Sequence, residues 1–297
     1  MTLRSMVLPA ILAALVSASA TFAEEKNDLP AKQKAAAEEV WKKLELEKTP
    51  PPVITANFIV FAPQSEAKSK ALADMLERYY KVATRALKFD DKERPWNGHM
   101  AVFVLEWQEY KNLMRKVEKR TPAADETSFS SFSGDEPTLG VGSPAGTKGL
   151  PEPQEAVNEM LTGLLRKKMG AGDPPTWIAI GFAKATAYRV ANLGSRGKPS
   201  GYGPANADLK EIWGETLPAK TRYSYGAYIT DYLAYGPLAD QFPQFVLGLR
   251  PDEGTNGPSV ENALKAINVE PDALAYWAAK WQKPKEAPKP KETPKKP

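Results

Sequence analysis

Side chains capable of catalysis are sparse in this sequence, which has no cysteine and a single histidine, His99. The first count excludes disulfides, thiol nucleophiles, iron–sulfur clusters and thiolate zinc sites. The second excludes any site built from two imidazoles of one chain, and a Ser-His-Asp triad would have to use His99. His99 follows Asn97-Gly98 at a strand entry, where a histidine reads as a turn or edge residue. Ser65-Glu66-Ala67-Lys68 has the S-x-x-K spacing of penicillin-binding serine enzymes. Their partner motifs are absent, and Ser65 reads better as a helix N-cap. Gly194-Ser195-Arg196-Gly197-Lys198-Pro199 lacks the spacing and terminal Ser/Thr of a P-loop and reads as a turn. No aspartic-protease triplet and no G-x-S-x-G elbow occurs. The acidic pairs Asp90-Asp91 and Asp135-Glu136 fall in expected turns, and Tyr79, Tyr80, Trp96 and Trp107 are spaced as core packing. One carboxylate is set differently. Glu159 lies in the stretch Glu155–Leu165, an amphipathic helix that turns Val157, Met160, Leu161, Leu164 and Leu165 inward. Asn158 and Thr162 lie one turn apart on a neighbouring line of that helix.

The elements that must position these residues follow from hydrophobic periodicity. A polar, alanine-rich helix carrying Trp41 and Leu44 fits residues 30–48 and stops at Pro50-Pro51-Pro52. Ile54–Ala62 reads as a strand apolar on both faces, hence central. Ser65 to about Phe89 is a long helix, His99–Leu105 a second strand, and Glu106–Lys119 another helix. Thr127–Phe132 and Leu139–Val141 read as short strands around a Gly134-Asp135-Glu136-Pro137 turn. Beyond residue 150 the pattern is helical, over 152–169, 174–192, 223–238, 241–249, 258–267 and 271–282, with a glycine- and proline-rich loop at 194–222. Strands in the first half and helices in the second predict an α+β fold: an N-terminal mixed sheet with helices, then a helical C-terminal part.

The two ends read as something other than folded domain. Residues 1–23 have the basic start, apolar stretch and small-residue cleavage region of a secretory signal peptide, with Thr21-Phe22-Ala23 before the expected cut. The expected product is secreted or periplasmic. A lipoprotein would need a cysteine, and no second segment reaches membrane-spanning length. Residues 24–52 form a helical lead and proline linker, and 283–297 a tail expected to be disordered, with six lysines, two glutamates and five prolines. Setting aside Arg4 and that tail leaves 33 basic against 34 acidic residues over 24–282. The pI near 8.9 therefore comes from the tail, and a nucleic-acid-binding surface is not expected.

After a break at Gly170–Pro175 comes Trp177-Ile178-Ala179-Ile180-Gly181-Phe182-Ala183-Lys184. Here the chain resembles the peptidase MA-like, gluzincin-type zinc metallopeptidases. Their first motif helix carries H-E-x-x-H and their second reads W-[IL]-x-E-G-x-A. The resemblance spans about 53–282 and implies a zincin-like fold, with a cleft between a sheet-bearing and a helical half. It also implies that the two histidines and the second glutamate bind zinc while the first glutamate is the general base.

Set residue by residue on that pattern, Glu159 occupies the general-base position. Asn158 and Thr162 stand at the two histidines and Ile180 at the glutamate ligand. An amide, a hydroxyl and a hydrocarbon replace the three groups that catalytic zinc requires. Without zinc to lower the pKa of water, Glu159 faces an ordinary nucleophile. Isoleucine at 180 also removes a carboxylate that would be an unpaired charge in an emptied pocket. The sequence thus predicts an exported pseudo-metallopeptidase with no metal and no cofactor, binding a peptide or cell-envelope polymer. The alternatives are an active hydrolase using Glu159 with non-standard ligands, or a structural envelope protein anchored by its basic tail.

Overall fold

Phe58–Phe61 and Met100–Leu105 are buried at every residue, so each strand needs neighbours on both edges and cover on both faces. A computed structural model describes residues 28–46, 50–90, 92–132, 134–191, 219–252 and 257–282 and shows how that is met. The expected signal peptide and tail, and residues 194–218 of the expected loop, lie outside the described residues. The chain divides into two compact units. The first takes the described residues up to Glu77 together with Arg94–Met160, and the second takes Arg78–Glu93 and those from Leu161 onward.

The first unit holds a five-stranded mixed sheet: β1 (Val53–Ile54), β2 (Phe58–Phe61), β3 (Met100–Leu105), β4 (Ser128–Ser131) and β5 (Thr138–Gly142), in the order β1-β2-β3-β5-β4. β2, β3 and β5 run parallel, while β1 and β4 are antiparallel outer strands. The single strand expected at 54–62 is in fact a tight hairpin. Val53 pairs with Val60 and Ile54 with Ile59, and the Thr55 N–H donates to the Phe58 carbonyl at 2.9 Å. The turn contains neither glycine nor proline. It is held instead by Glu77, whose carboxylate accepts from the Asn57 N–H and side-chain amide, each at 2.7 Å.

One face of the sheet, with Ile59, Phe61, Ala101, Phe103 and Leu105, packs against helix α1 (28–43) and helix α3 (Trp107–Lys116). Phe61 and Phe103 are register partners and stack at 5.1 Å, with the Trp41 ring 5.4 Å from Phe61. Helix α1 presents Gln33, Ala37 and Trp41 as one buried face, with buried Leu44 just past its end, so the expected N-terminal lead forms part of the sheet's core. Gln33 fastens its start. The side-chain amide donates to the carbonyls of Asn97 (2.8 Å) and Asp135 (2.6 Å), and its oxygen accepts from the His99 N–H at 2.7 Å. Gly98, at φ +67°, allows this approach, because a Cβ there would collide with the Gln33 amide.

Helices α2 (Glu66–Ala86) and α4 (Pro153–Met169) begin in the first unit and end in the second. The second unit is otherwise helical: α5 (Thr176–Ala191), α6 (Ala219–Tyr235), α7 (Phe242–Gly248), α8 (Val260–Ala266) and α9 (Pro271–Gln282). Residues 219–222, expected as loop, are the first turn of α6, directly behind Pro218, a residue type suited to a helix start. Helices α5 and α6 cross where two glycines face each other. A Cβ on Gly181 would strike the Gly226 carbonyl, and one on Gly226 the Trp177 carbonyl. A fully buried Asp231 accepts from Arg189 at 2.6 Å, and Thr186 shares a hydrogen bond with Tyr235 at 2.7 Å. Among the described residues no helix is long and apolar enough to cross a membrane.

Replacing Gln33 by methionine keeps the volume and strands three backbone groups. Urea unfolding should show a loss of about 2–3 kcal/mol. A loss within experimental error would mean that this clasp does not hold α1.

Candidate functional site

Helix α4 starts with Pro153, whose missing N–H costs nothing in a first turn. Glu155 lies in that turn and Arg166, Lys167 and Lys168 in the last, both matching the helix dipole. The inward side chains are those expected, with Val157, Met160, Leu161, Leu164 and Leu165 fully buried. Helix α4 ends at Gly170, in the left-handed region at φ +82°, whose N–H donates to the Arg166 carbonyl at 2.9 Å.

Glu159 is 8% exposed, and both its carboxylate oxygens are engaged within the first unit. Ser128 Oγ donates to Oε2 at 2.7 Å and Ser130 Oγ to Oε1 at 2.8 Å. The two serines alternate with Phe129 along β4. Their hydroxyls therefore share one face of the strand while the Phe129 ring enters the core on the other. A carboxylate held this way is a clasp between α4 and an outer strand. Its burial leaves little of the carboxylate open to water.

A second carboxylate stands just ahead of β4. Glu126 accepts from Arg120 Nη1 (2.7 Å) and Nη2 (2.6 Å), from the Ala123 N–H (3.2 Å) and from the Tyr110 hydroxyl (3.0 Å). The Arg120 hydrogen bonds hold the Glu126 carboxyl below its usual range, against the opposing effect of burial. Burial, then the hydrogen bond to Glu126, pushes the Tyr110 phenol far up, so it remains a donor.

The other residues aligned with the zinc-binding pattern do not suit that ion. Asn158 is half-buried, and its Oδ1 accepts from Gln154 Nε2 one turn earlier at 3.1 Å. Thr162 follows one turn later, also half-buried. Ile180 lies half-buried on α5 in the second unit and has no donor atom. Among the described residues no three His, Asp or Glu side chains are grouped to hold a metal ion. The residues present do not fit zinc.

The remaining candidates sit in structural roles. His99 Nε2 lies 3.0 Å from the Thr55 carbonyl, which can only accept, so in this contact Nε2 carries the proton. Ser65 precedes α2, and its carbonyl accepts the first helical bond, from Ser69 at 3.0 Å. Asp90 caps its own turn by accepting from the N–H groups of Lys92 and Glu93, each at 2.8 Å. Gly194–Pro199 lies outside the described residues. Sequence reading missed Ser128 and Ser130. The alternation of hydroxyl and phenyl in Ser128-Phe129-Ser130 announces a two-faced strand, but nothing local links it to Glu159.

Two outcomes test this account. Ser128→Ala with Ser130→Ala removes two hydroxyl donors from a buried carboxylate and should cost about 3–5 kcal/mol in denaturant unfolding. Adding Glu159→Gln to that pair should recover part of the loss, because the amide needs weaker donors; further destabilisation would refute a charge clasp. Glu126→Gln addresses pH. A glutamate held below its usual 4.5 stabilises fully above that value and progressively less as pH falls through its folded value. The variant should be less stable by about 1–2 kcal/mol at pH 7, with the gap closing below pH 4.5 in thermal melts. A gap that stays constant to pH 3 contradicts the assignment. No family model matches this chain, and neither a curated protein nor a solved structure does.

Proposed function

We propose that this chain is an exported, non-catalytic relative of the peptidase MA-like metallopeptidases, secreted or periplasmic, that binds an extended peptide chain along the outer strand β4. The observation that carries the reading is the engagement of Glu159. The one position that keeps the residue of the peptidase pattern gives both carboxylate oxygens to Ser128 and Ser130, so its chemistry has become structural. Two further facts support it. Asn158, Thr162 and Ile180 offer zinc no suitable donor set. The pattern residues that are kept, Trp177, Gly181 and Ala183, are buried in the second unit, and Gly181 packs against α6. Packing keeps these side chains whether or not the enzyme works.

The binding mode follows from strand geometry. β4 is an outermost strand of the described sheet and pairs antiparallel with β5, with Ser128 opposite Val141 and Phe129 opposite Gly140. The Gly142 N–H donates to the Thr127 carbonyl at 2.7 Å, which makes that pair a hydrogen-bonded one. Alternation then turns the backbone N–H and C=O of Ser128 away from β5, toward the edge where an added strand would pair. Backbone pairing supplies affinity with little demand on side chains.

Binding of a panel of extended peptides and soluble envelope polymer to the purified protein tests the reading. Saturable peptide binding is expected, and methylating alternate backbone nitrogens of a bound peptide should abolish it with side chains unchanged. No saturable binding in the panel, or binding indifferent to N-methylation, sinks strand addition. Stoichiometric zinc in the purified protein, or proteolysis lost on Glu159→Gln, would restore the enzyme.

A further inference from the structure

Among the described residues three large hydrophobic side chains are markedly exposed: Ile54, Tyr276 (62%) and Trp277 (43%). Two of these adjoin on α9. Trp277 and Trp281, one helical turn apart, form with Tyr232, Pro237 and Lys280 an open, mostly aromatic groove of about 400 Å³ in the second unit. The wall behind it is firm. The Trp281 ring meets Tyr232 edge-on at 5.7 Å and covers the Arg189 guanidinium, itself paired with buried Asp231. Lys280 extends over the Tyr276 ring at 5.9 Å. One indole held by its neighbours and one exposed, beside a proline and with an ammonium at the rim, match the aromatic grooves that take polyproline-type chains.

A chain of that kind follows directly on α9. Residues 283–297 contain prolines at 284, 288, 290, 294 and 297, with Pro288-Lys289-Pro290 near the middle. Proline prefers the extended polyproline conformation, with a rise of about 3.1 Å per residue. Two such residues span about 6 Å, the rise of one helical turn and thus the step from Trp277 to Trp281. Six residue steps lead from Gln282 to Pro288. They reach about 20 Å, enough to double back along α9. Lysine ammonium groups are attracted to indole faces, and Glu286 and Glu292 offset the like charge of Lys280. Tethering supplies an effective concentration in the millimolar range, so a weak contact suffices.

We propose that the Trp277/Trp281 groove is the docking site for the proline–lysine segment 283–297 of the same chain, with Pro288 and Pro290 against the two indoles. The proposal does not depend on the binding mode assigned to β4. Trypsin provides the test, because Lys285–Glu286 and Lys291–Glu292 are cleavable bonds in the segment. With a contact of about 0.1 mM and millimolar effective concentration, both bonds in the intact chain should be cut about tenfold more slowly than in a synthetic 283–297 peptide. Trp277→Ala, at an exposed position, and Pro288→Ala, in the segment itself, should each restore the peptide's rate. Cleavage of the intact chain at the peptide's rate overturns the proposal. So does slow cleavage unchanged by both variants, which would place the segment elsewhere.

Discussion

A carboxylate taken out of water must find donors, and Glu159 satisfies that requirement with two serine hydroxyls from an outer strand. Two hydrogen bonds to a charged group are together worth several kcal/mol, comparable to much of a domain's net stability. The clasp therefore does more than satisfy one side chain. It fixes which face of β4 meets α4, and so which face sends Phe129 into the core with Tyr110, Leu113 and Met114. A strand of four residues with three serines has little apolar surface of its own to hold it at a sheet edge. The buried charge supplies a directional alternative.

The same arrangement bears on chemistry. A general base needs a carboxylate poised toward water beside an electrophile, whereas this one faces two hydroxyls of the protein. The same logic recurs at Glu126, two residues before Ser128, where Arg120, Ala123 and Tyr110 supply donors to a second carboxylate in the approach to β4. Glu126 and Glu159 thus both help to position this strand.

In the second unit the governing contact is steric. Gly181 and Gly226 let α5 and α6 approach until backbone touches backbone, which only a residue without Cβ permits. On the same two helices Arg189 pairs with the fully buried Asp231, and the fully buried Thr186 pairs with Tyr235. Trp177 and Gly181, one helical turn apart, are the α5 residues that meet Gly226 at the crossing. This is a physical reason for the W-x-x-x-G part of the pattern.

Much of the architecture was legible in advance. Central strands betrayed themselves by unbroken apolar runs, helix α4 by its periodicity and bounding Pro153 and Gly170, and the mixed α+β order by the sequence of patterns. Local chemistry also says that Asn158, Thr162 and Ile180 offer an amide, a hydroxyl and a hydrocarbon, a poor donor set for zinc. What could not be read was pairing at a distance. Glu77 holds the Asn57 turn, Gln33 bridges three backbone groups up to a hundred residues away, and Ser128 and Ser130 claim Glu159. Hydrophobic period reports which side of an element faces inward, because burial acts on each residue alone. A hydrogen bond depends on two groups meeting at about 2.8 Å, and only the folded chain decides which two those are.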